Sequence, residues 1–185
     1  GYYNNEIKAS SKTLKKDSLK SIETYSQGLK YTDGATKRFI DEINQLDKDV
    51  TVVFYGDHLP GIYSYKDGKS IIDKNFALGH LTDYFIYNNK NNQKLDYPVV
   101  APYEFTSLAM TQTNAKVTPF YALMTQVQNE LPALEINRYI DNARHSGTLM
   151  NLSATQRNLL EDVKMVQYDI YSNQNYLGRS FYQKE

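Results

Sequence analysis

The sequence contains no cysteine, which excludes disulfides, thiolate metal sites and a cysteine nucleophile. Nor does it carry an excess of either charge: 21 Lys plus Arg stand against 21 Asp plus Glu. A neutral chain has no general electrostatic pull toward nucleic acid or anionic lipid, and the Lys15-Lys16 pair is too short to supply one locally. No apolar stretch approaches the roughly 20 residues needed to cross a bilayer. No secretory leader is visible, because the chain opens on the polar run Gly1-Tyr2-Tyr3-Asn4-Asn5. That opening reads as the start of an excised fragment, which the 185 residues also suit. A cysteine-free composition fits an extracytoplasmic Gram-positive protein, and many cytosolic proteins lack cysteine too. The 17 tyrosines accompany abundant Asn and Lys, so an AT-rich genome explains them ahead of sugar-binding platforms. Internal repeats and low-complexity linkers are absent.

What stands out is Val50-Thr51-Val52-Val53-Phe54-Tyr55-Gly56-Asp57-His58. Its β-branched and aromatic run predicts a strand over 50–55, buried on both faces. Gly56 and then Pro60-Gly61 mark its end. Ligands of open α/β sheets bind at the carboxyl ends of such strands. An Asp beside a His there offers a carboxylate oxygen and an imidazole nitrogen to one divalent cation.

The surrounding pattern alternates helix and strand, an α/β layer arrangement. Residues 1–16 read as an irregular approach. Ile22, Tyr25, Leu29, Phe39, Ile40, Ile43 and Leu46 give helical periodicity over 17–46. Gly28 and Gly34 should each cost roughly 1 kcal/mol against alanine, predicting a bend or close packing, with Asp33 capping a restarted helix. A loop is expected over 59–76, then a second strand over Tyr84-Phe85-Ile86-Tyr87, ended by an asparagine-rich run. Prolines make 97–102 extended. Short helical character over 105–110 precedes a helix capped by Thr118 with Pro119 in its first turn and ending near Glu130. Ser153-Ala154-Thr155-Gln156 is a capping box opening a last helix with Leu159, Leu160, Val163 and Val166 on its apolar face. Asp169-Ile170-Tyr171 reads as a final short strand.

Several of these segments carry a resemblance. Tyr31-Thr32-Asp33-Gly34-Ala35 through Phe39-Ile40, followed by Val52 to His58, resembles the later half of the sulfatase-like domain of lipoteichoic acid synthases and related phosphoglycerol transferases of the alkaline phosphatase superfamily. Thr82-Asp83-Tyr84-Phe85-Ile86-Tyr87-Asn88-Asn89, Thr118-Pro119-Phe120-Tyr121-Ala122-Leu123-Met124, Asn129-Glu130-Leu131-Pro132-Ala133 and Val163 to Ile170 resemble segments of the same group. The resemblance implies that residues 1–185 form one fragment, the C-terminal portion of an α/β/α sandwich of alkaline-phosphatase/sulfatase type, with the N-terminal half and membrane segments absent. It implies a membrane-anchored extracytoplasmic parent enzyme that moves glycerol phosphate from a phosphatidylglycerol-type lipid to a cell-envelope glycan or teichoic acid polymer. Asp57 and His58 inherit metal-ligand roles from it, with Mn²⁺ the first expectation and Zn²⁺ or Mg²⁺ the alternatives. The nucleophilic threonine and an acidic ligand belong to the earlier half, so no catalytic nucleophile is expected here and the fragment alone is expected to be inactive. A sulfatase or phosphodiesterase of the same superfamily, or a non-catalytic envelope binding protein, are the alternatives.

Each candidate also has a plainer role. Asp57 caps a turn and His58 packs, if no ion is held. His80 is a secondary candidate for substrate binding, or a hydrogen-bonded structural histidine. His145 reads as surface loop, Asp33 as a cap, and Tyr63 and Tyr65 as loop tyrosines beside an acceptor groove or simply exposed.

Overall fold

Residues 6–91 and 93–183 are described in the computed structural model. The polar opening at 1–5 and Asn92 of the asparagine run lie outside the described residues. The chain divides into two units, Gly1–Asn89 and Lys90–Glu185.

In the first unit, α1 runs unbroken over Lys16–Ile43. The expected interruption at Gly28 and Gly34 does not occur, and Asp33 lies inside the helix rather than capping a new one. The backbone ladder absorbs the glycines; Thr32 Oγ1 donates to the Gly28 carbonyl at 3.3 Å, and a Cβ on Gly34 would meet only the Arg38 side chain. Beyond α1, Asn89 links the end of the helix to the first strand. Its Nδ2 donates to the carbonyls of Ile43 and Lys48 at 3.0 Å, and its Oδ1 accepts the Val50 amide at 2.9 Å. Buried Asn88 donates to Asp49 Oδ1 and Thr51 Oγ1. Asn89, just past the second strand, therefore satisfies an orphan carbonyl at the α1 terminus, that of Ile43.

Strand β1, Thr51–Tyr55, pairs antiparallel with β2, Tyr84–Asn88, in register from Thr51 opposite Asn88 to Tyr55 opposite Tyr84. Phe54 and Phe85 stack across the pair with centroids 5.0 Å apart. The expectation of burial on both faces is not met: Val53, Phe54 and Tyr55 remain 37%, 40% and 50% exposed. Among the described residues β2 is the only strand beside β1, and both faces stay open, with Val53 and Tyr55 on one and Phe54 on the other. Between the strands, the expected loop contains two short helices, α2 (Ile71–Lys74) and α3 (Phe76–His80). Ser70 and Asp73 form a capping box for α2, and Asn75 caps α3.

In the second unit, a 3₁₀ turn at Pro102–Glu104 leads into α4, Phe105–Gln112. Helix α5, Pro119–Glu130, starts where Thr118-Pro119 predicts, and α6, Ala154–Ser172, starts at the Ser153 capping box. The final strand expected at Asp169-Ile170-Tyr171 is instead the last turn of α6. Its apolar periodicity continues through Val166 into Asp169, which is buried on the same face. Between α5 and α6 lies a three-stranded antiparallel sheet of β3 (Ala133–Glu135), β4 (Arg138–Ile140) and β5 (Ser146–Thr148). A short helix, α7 (Arg179–Tyr182), closes the chain.

The core of this unit joins α5, the small sheet and α6 through Val127, Leu131, Tyr139, Leu152 and Leu159. Each such side chain contributes roughly 1.5–3 kcal/mol by leaving water. Gly147 sits under the Tyr139 ring, where a Cβ would come within 2.9 Å of Cε1.

Candidate metal centre

Strand β1 delivers its carboxyl end to residues 56–58, and Gly56 makes the exit possible. The Gly56 amide donates to the Asp83 carbonyl at 3.1 Å, and its own carbonyl accepts Thr82 Oγ1 at 2.7 Å. A Cβ on Gly56 would lie 3.0 Å from Thr82 Cβ, tighter than side-chain contacts normally allow. Glycine therefore lets the two strand ends approach while the chain turns outward.

Asp57 and His58 follow at once, and both side chains are exposed, at 82% and 76%. Asp57 Oδ1 accepts the His58 backbone amide at 2.9 Å, which holds the carboxylate over the next residue. Its other oxygen, Oδ2, stands 3.6 Å from His58 Nε2. The opposite ring nitrogen, Nδ1, lies 2.9 Å from the Leu59 carbonyl. A carbonyl only accepts, so Nδ1 is the donor there and Nε2 is the ring nitrogen left facing Asp57. A backbone carbonyl on the outer nitrogen is the arrangement found behind metal-binding histidines.

These two donors fit a divalent cation. Bonds of about 2.1 Å to one tetrahedral ion set their donor atoms about 3.4 Å apart, close to the observed 3.6 Å. Carboxylate oxygen with imidazole nitrogen suits Mn²⁺, Mg²⁺ or Zn²⁺. Two protein ligands are fewer than the usual three or four. Among the described residues no group of three or more His, Asp or Glu converges to complete the set.

His80 does not join the pair in such a cluster. It is exposed at the end of α3, its Nδ1–H donates to the Phe76 carbonyl at 2.7 Å, and its ring lies 4.3 Å from that of Phe76. His145 is an exposed turn residue bonded to Asp141 through its amide, at 2.8 Å, and its ring. In the loop after His58, Tyr65 bridges to Leu14 and lies beneath the Lys74 ammonium, 5.4 Å from the ring centroid. Lys74 also pairs with Asp67 and holds that carboxyl below the ordinary aspartate range, helped by the Lys69 amide. These contacts tie the loop to Leu14 and to itself. Sequence reasoning missed Thr82 and the Leu59 carbonyl. Thr82 stood in a recognised segment, but its bond to a residue 26 positions away leaves no local signal.

An alkaline-phosphatase-like strand end carrying Gly-Asp-His defines the class. The family model for Sulfatase matches residues 1–126, a span that includes Gly56, Asp57, His58 and Thr82, and the chain belongs to the sulfatase family. Its fold is that of a fragment of a sulfatase/alkaline-phosphatase-like domain. It superposes over 100% of its length on the Streptococcus pyogenes phosphoglycerol transferase GacH in complex with sn-glycerol-1-phosphate, with a TM-score of 0.80 and 30% identity. The capsular polysaccharide biosynthesis protein RkpI of Rhizobium meliloti (strain 1021) is 44% identical over 46 residues, 25% of this chain. This chain spans 44% of the GacH chain and the match spans 9% of RkpI. Among the described residues no helix is long and apolar enough to cross a membrane.

Proposed function

We propose that this chain is the C-terminal part of a metal-dependent phosphoglycerol transferase. The whole enzyme would move glycerol phosphate from a phosphatidylglycerol-type lipid to a glycan or teichoic acid polymer on the extracytoplasmic side of the membrane. The observation that carries the reading is the convergence of Asp57 Oδ2 and His58 Nε2, 3.6 Å apart and open to solvent at the end of β1. The 30% identity to a phosphoglycerol transferase solved with sn-glycerol-1-phosphate supports the substrate class.

Asp57 and His58 would hold the cation. When bound, it supplies Lewis-acid stabilisation of the phosphoryl oxygens and activates a hydroxyl nucleophile. Asp57 contributes negative charge to that site, and His58 contributes a neutral nitrogen whose direction the Leu59 carbonyl sets. The nucleophile and the remaining ligands come from the part of the protein outside these 185 residues. The exposure of β1 on both faces, Val53 and Tyr55 on one and Phe54 on the other, supports a larger sheet with covering layers in the whole domain. On this reading the isolated chain binds metal weakly and turns over no substrate.

The test is a Mn²⁺ titration of the chain against Asp57→Ala and His58→Ala. Either substitution should weaken binding on the order of tenfold or more. Equal binding by His58→Ala removes His58 from the ligand set. In the full-length protein both substitutions should abolish transfer of glycerol phosphate to a polyol acceptor. Turnover by the 185-residue chain alone would overturn its assignment as an incomplete catalytic unit. The Sulfatase family match also supports a second reading, hydrolysis of a sulfate ester or phosphodiester. Free glycerol phosphate as the dominant product, rather than acceptor-linked product, would favour it.

A further inference from the structure

We infer that Thr82 is a positioning residue for the Asp57–His58 pair, acting through the Gly56–Asp57 peptide plane; the metal arm of this inference rests on the function proposed above. Continuing the β1–β2 register one step past Tyr55–Tyr84 sets Gly56 opposite Asp83, and one more step sets Asp57 opposite Thr82. The first step is made by main chain, since the Gly56 amide donates to the Asp83 carbonyl at 3.1 Å. Asp57–Thr82 is a non-hydrogen-bonded position of the antiparallel ladder, where no main-chain bond is due. The Thr82 side chain instead reaches the preceding step, donating Oγ1–H to the Gly56 carbonyl at 2.7 Å. A side-chain bond thus holds the last ladder carbonyl at the point where the strand releases Asp57 outward.

The Gly56 carbonyl and the Asp57 amide belong to one planar peptide unit. Fixing that carbonyl fixes the orientation of the amide across the bond and the position of the Asp57 Cα, which leaves rotation about the Asp57 N–Cα bond as the backbone freedom that aims its side chain. Asp57 Oδ1 in turn accepts the His58 amide at 2.9 Å. The Thr82 hydroxyl thus acts on the backbone that carries Asp57 and, through Asp57, on the His58 amide, while the Leu59 carbonyl separately sets the His58 ring. Both ligand side chains are exposed, and Gly56 has no side chain of its own to pack. The fit is steric as well, because the Gly56 Cα faces the Thr82 Cβ with no room for another methyl. Thr82 thus supplies both a donor and a wall, and isosteric Thr82→Val removes the donor alone, while Thr82→Ser keeps it.

The test uses the 185-residue chain. Without metal, the ¹H–¹⁵N resonances of the Asp57 and His58 amides are compared in wild type, Thr82→Val and Thr82→Ser. With Mn²⁺, affinities are measured by calorimetry. Thr82→Val should move both amide resonances and weaken Mn²⁺ binding about tenfold, whereas Thr82→Ser should restore both. Thr82→Val resonances that stay at wild-type positions overturn the inference, and so does a Thr82→Ser variant as impaired as Thr82→Val. If wild type binds no Mn²⁺ the metal reading fails, while the amide comparison still decides the positioning claim. Should Thr82→Val unfold, Thr82→Ala replaces it in the same comparison.

Discussion

Asp169, near the end of α6, and Tyr182, in α7, are joined by a hydrogen bond of 2.8 Å from the tyrosine hydroxyl to Oδ2. The same carboxylate accepts the amides of Tyr176 at 2.6 Å and Leu177 at 3.3 Å. One side chain thereby folds the C-terminal segment back onto the helix, just past the left-handed turn at Asn173.

Burial pushes the Asp169 carboxyl upward, but the bonds from Tyr182 and the two amides outweigh it and hold the group below the ordinary aspartate value. A lowered folded pKa gives stability that is present above the unfolded value and lost as pH falls through the folded one. The expected outcome is that Asp169→Ala, or acid below the ordinary aspartate range, speeds hydrogen exchange at Tyr176 and Leu177 selectively. Protection in the α5–α6 core should stay unchanged, and equal loss across the unit would contradict the local role.

The opposite sign holds at Glu104. This residue is fully buried in the turn before α4, with Oε2 accepting Ser107 Oγ at 2.6 Å and Oε1 without a partner among the described residues. Burial raises its carboxyl to about 7, against a smaller lowering by Ser107. A raised folded pKa gives stability that is complete below the unfolded value near 4.5 and disappears as pH rises through about 7. Between pH 5 and pH 8 the chain should lose on the order of 2 kcal/mol. Glu104→Gln, which keeps the shape without the charge, should flatten the profile, as read by denaturant unfolding at several pH values.

The core of the second unit should respond to truncation where burial is complete. Leu131 is 0% exposed, and Leu131→Ala should cost about 3 kcal/mol, combining lost transfer energy with a cavity. Ile136, 87% exposed in the β3–β4 turn, is the matched control: Ile136→Ala should change stability by less than about 0.5 kcal/mol.

How much of this was legible in the chain depended on whether the cause was local. Helices α5 and α6 were readable because their starts are encoded in four residues each, Thr118 to Tyr121 and Ser153 to Gln156. Strands β1 and β2 were readable from their apolar runs. The sheet of β3, β4 and β5 was not, since three-residue strands show no periodicity and exist through pairing to one another. Ile170 and Tyr171 suggested a strand by residue type, yet Asp169 continues the buried face of α6, and tertiary packing decided the outcome. At the candidate site the adjacent donors Asp57 and His58 could be named from sequence. The restraints that aim them, Thr82 across the sheet and the Leu59 carbonyl, depend on backbone geometry.

The exposure of β1 carries a solution consequence. Val53 and Tyr55 on one face and Phe54 on the other lie open on a strand with one neighbour among the described residues, and Phe54 stacks on Phe85 where water can reach it. Two-stranded sheets are marginal by themselves, and open apolar strand edges recruit further strands. The 185-residue chain should therefore self-associate with rising concentration and bind hydrophobic dyes. Phe54→Lys should reduce both, because a charge on an edge opposes edge-to-edge pairing. In the full-length protein, where the rest of the domain is proposed to complete the sheet, the same substitution should instead destabilise the fold by roughly 3 kcal/mol or more. Sedimentation velocity on the short chain and thermal unfolding of the long one read the two effects separately. A short chain that stays monomeric at all concentrations would overturn the predicted self-association, and a long chain indifferent to Phe54→Lys would show that Phe54 meets water in the intact protein as well.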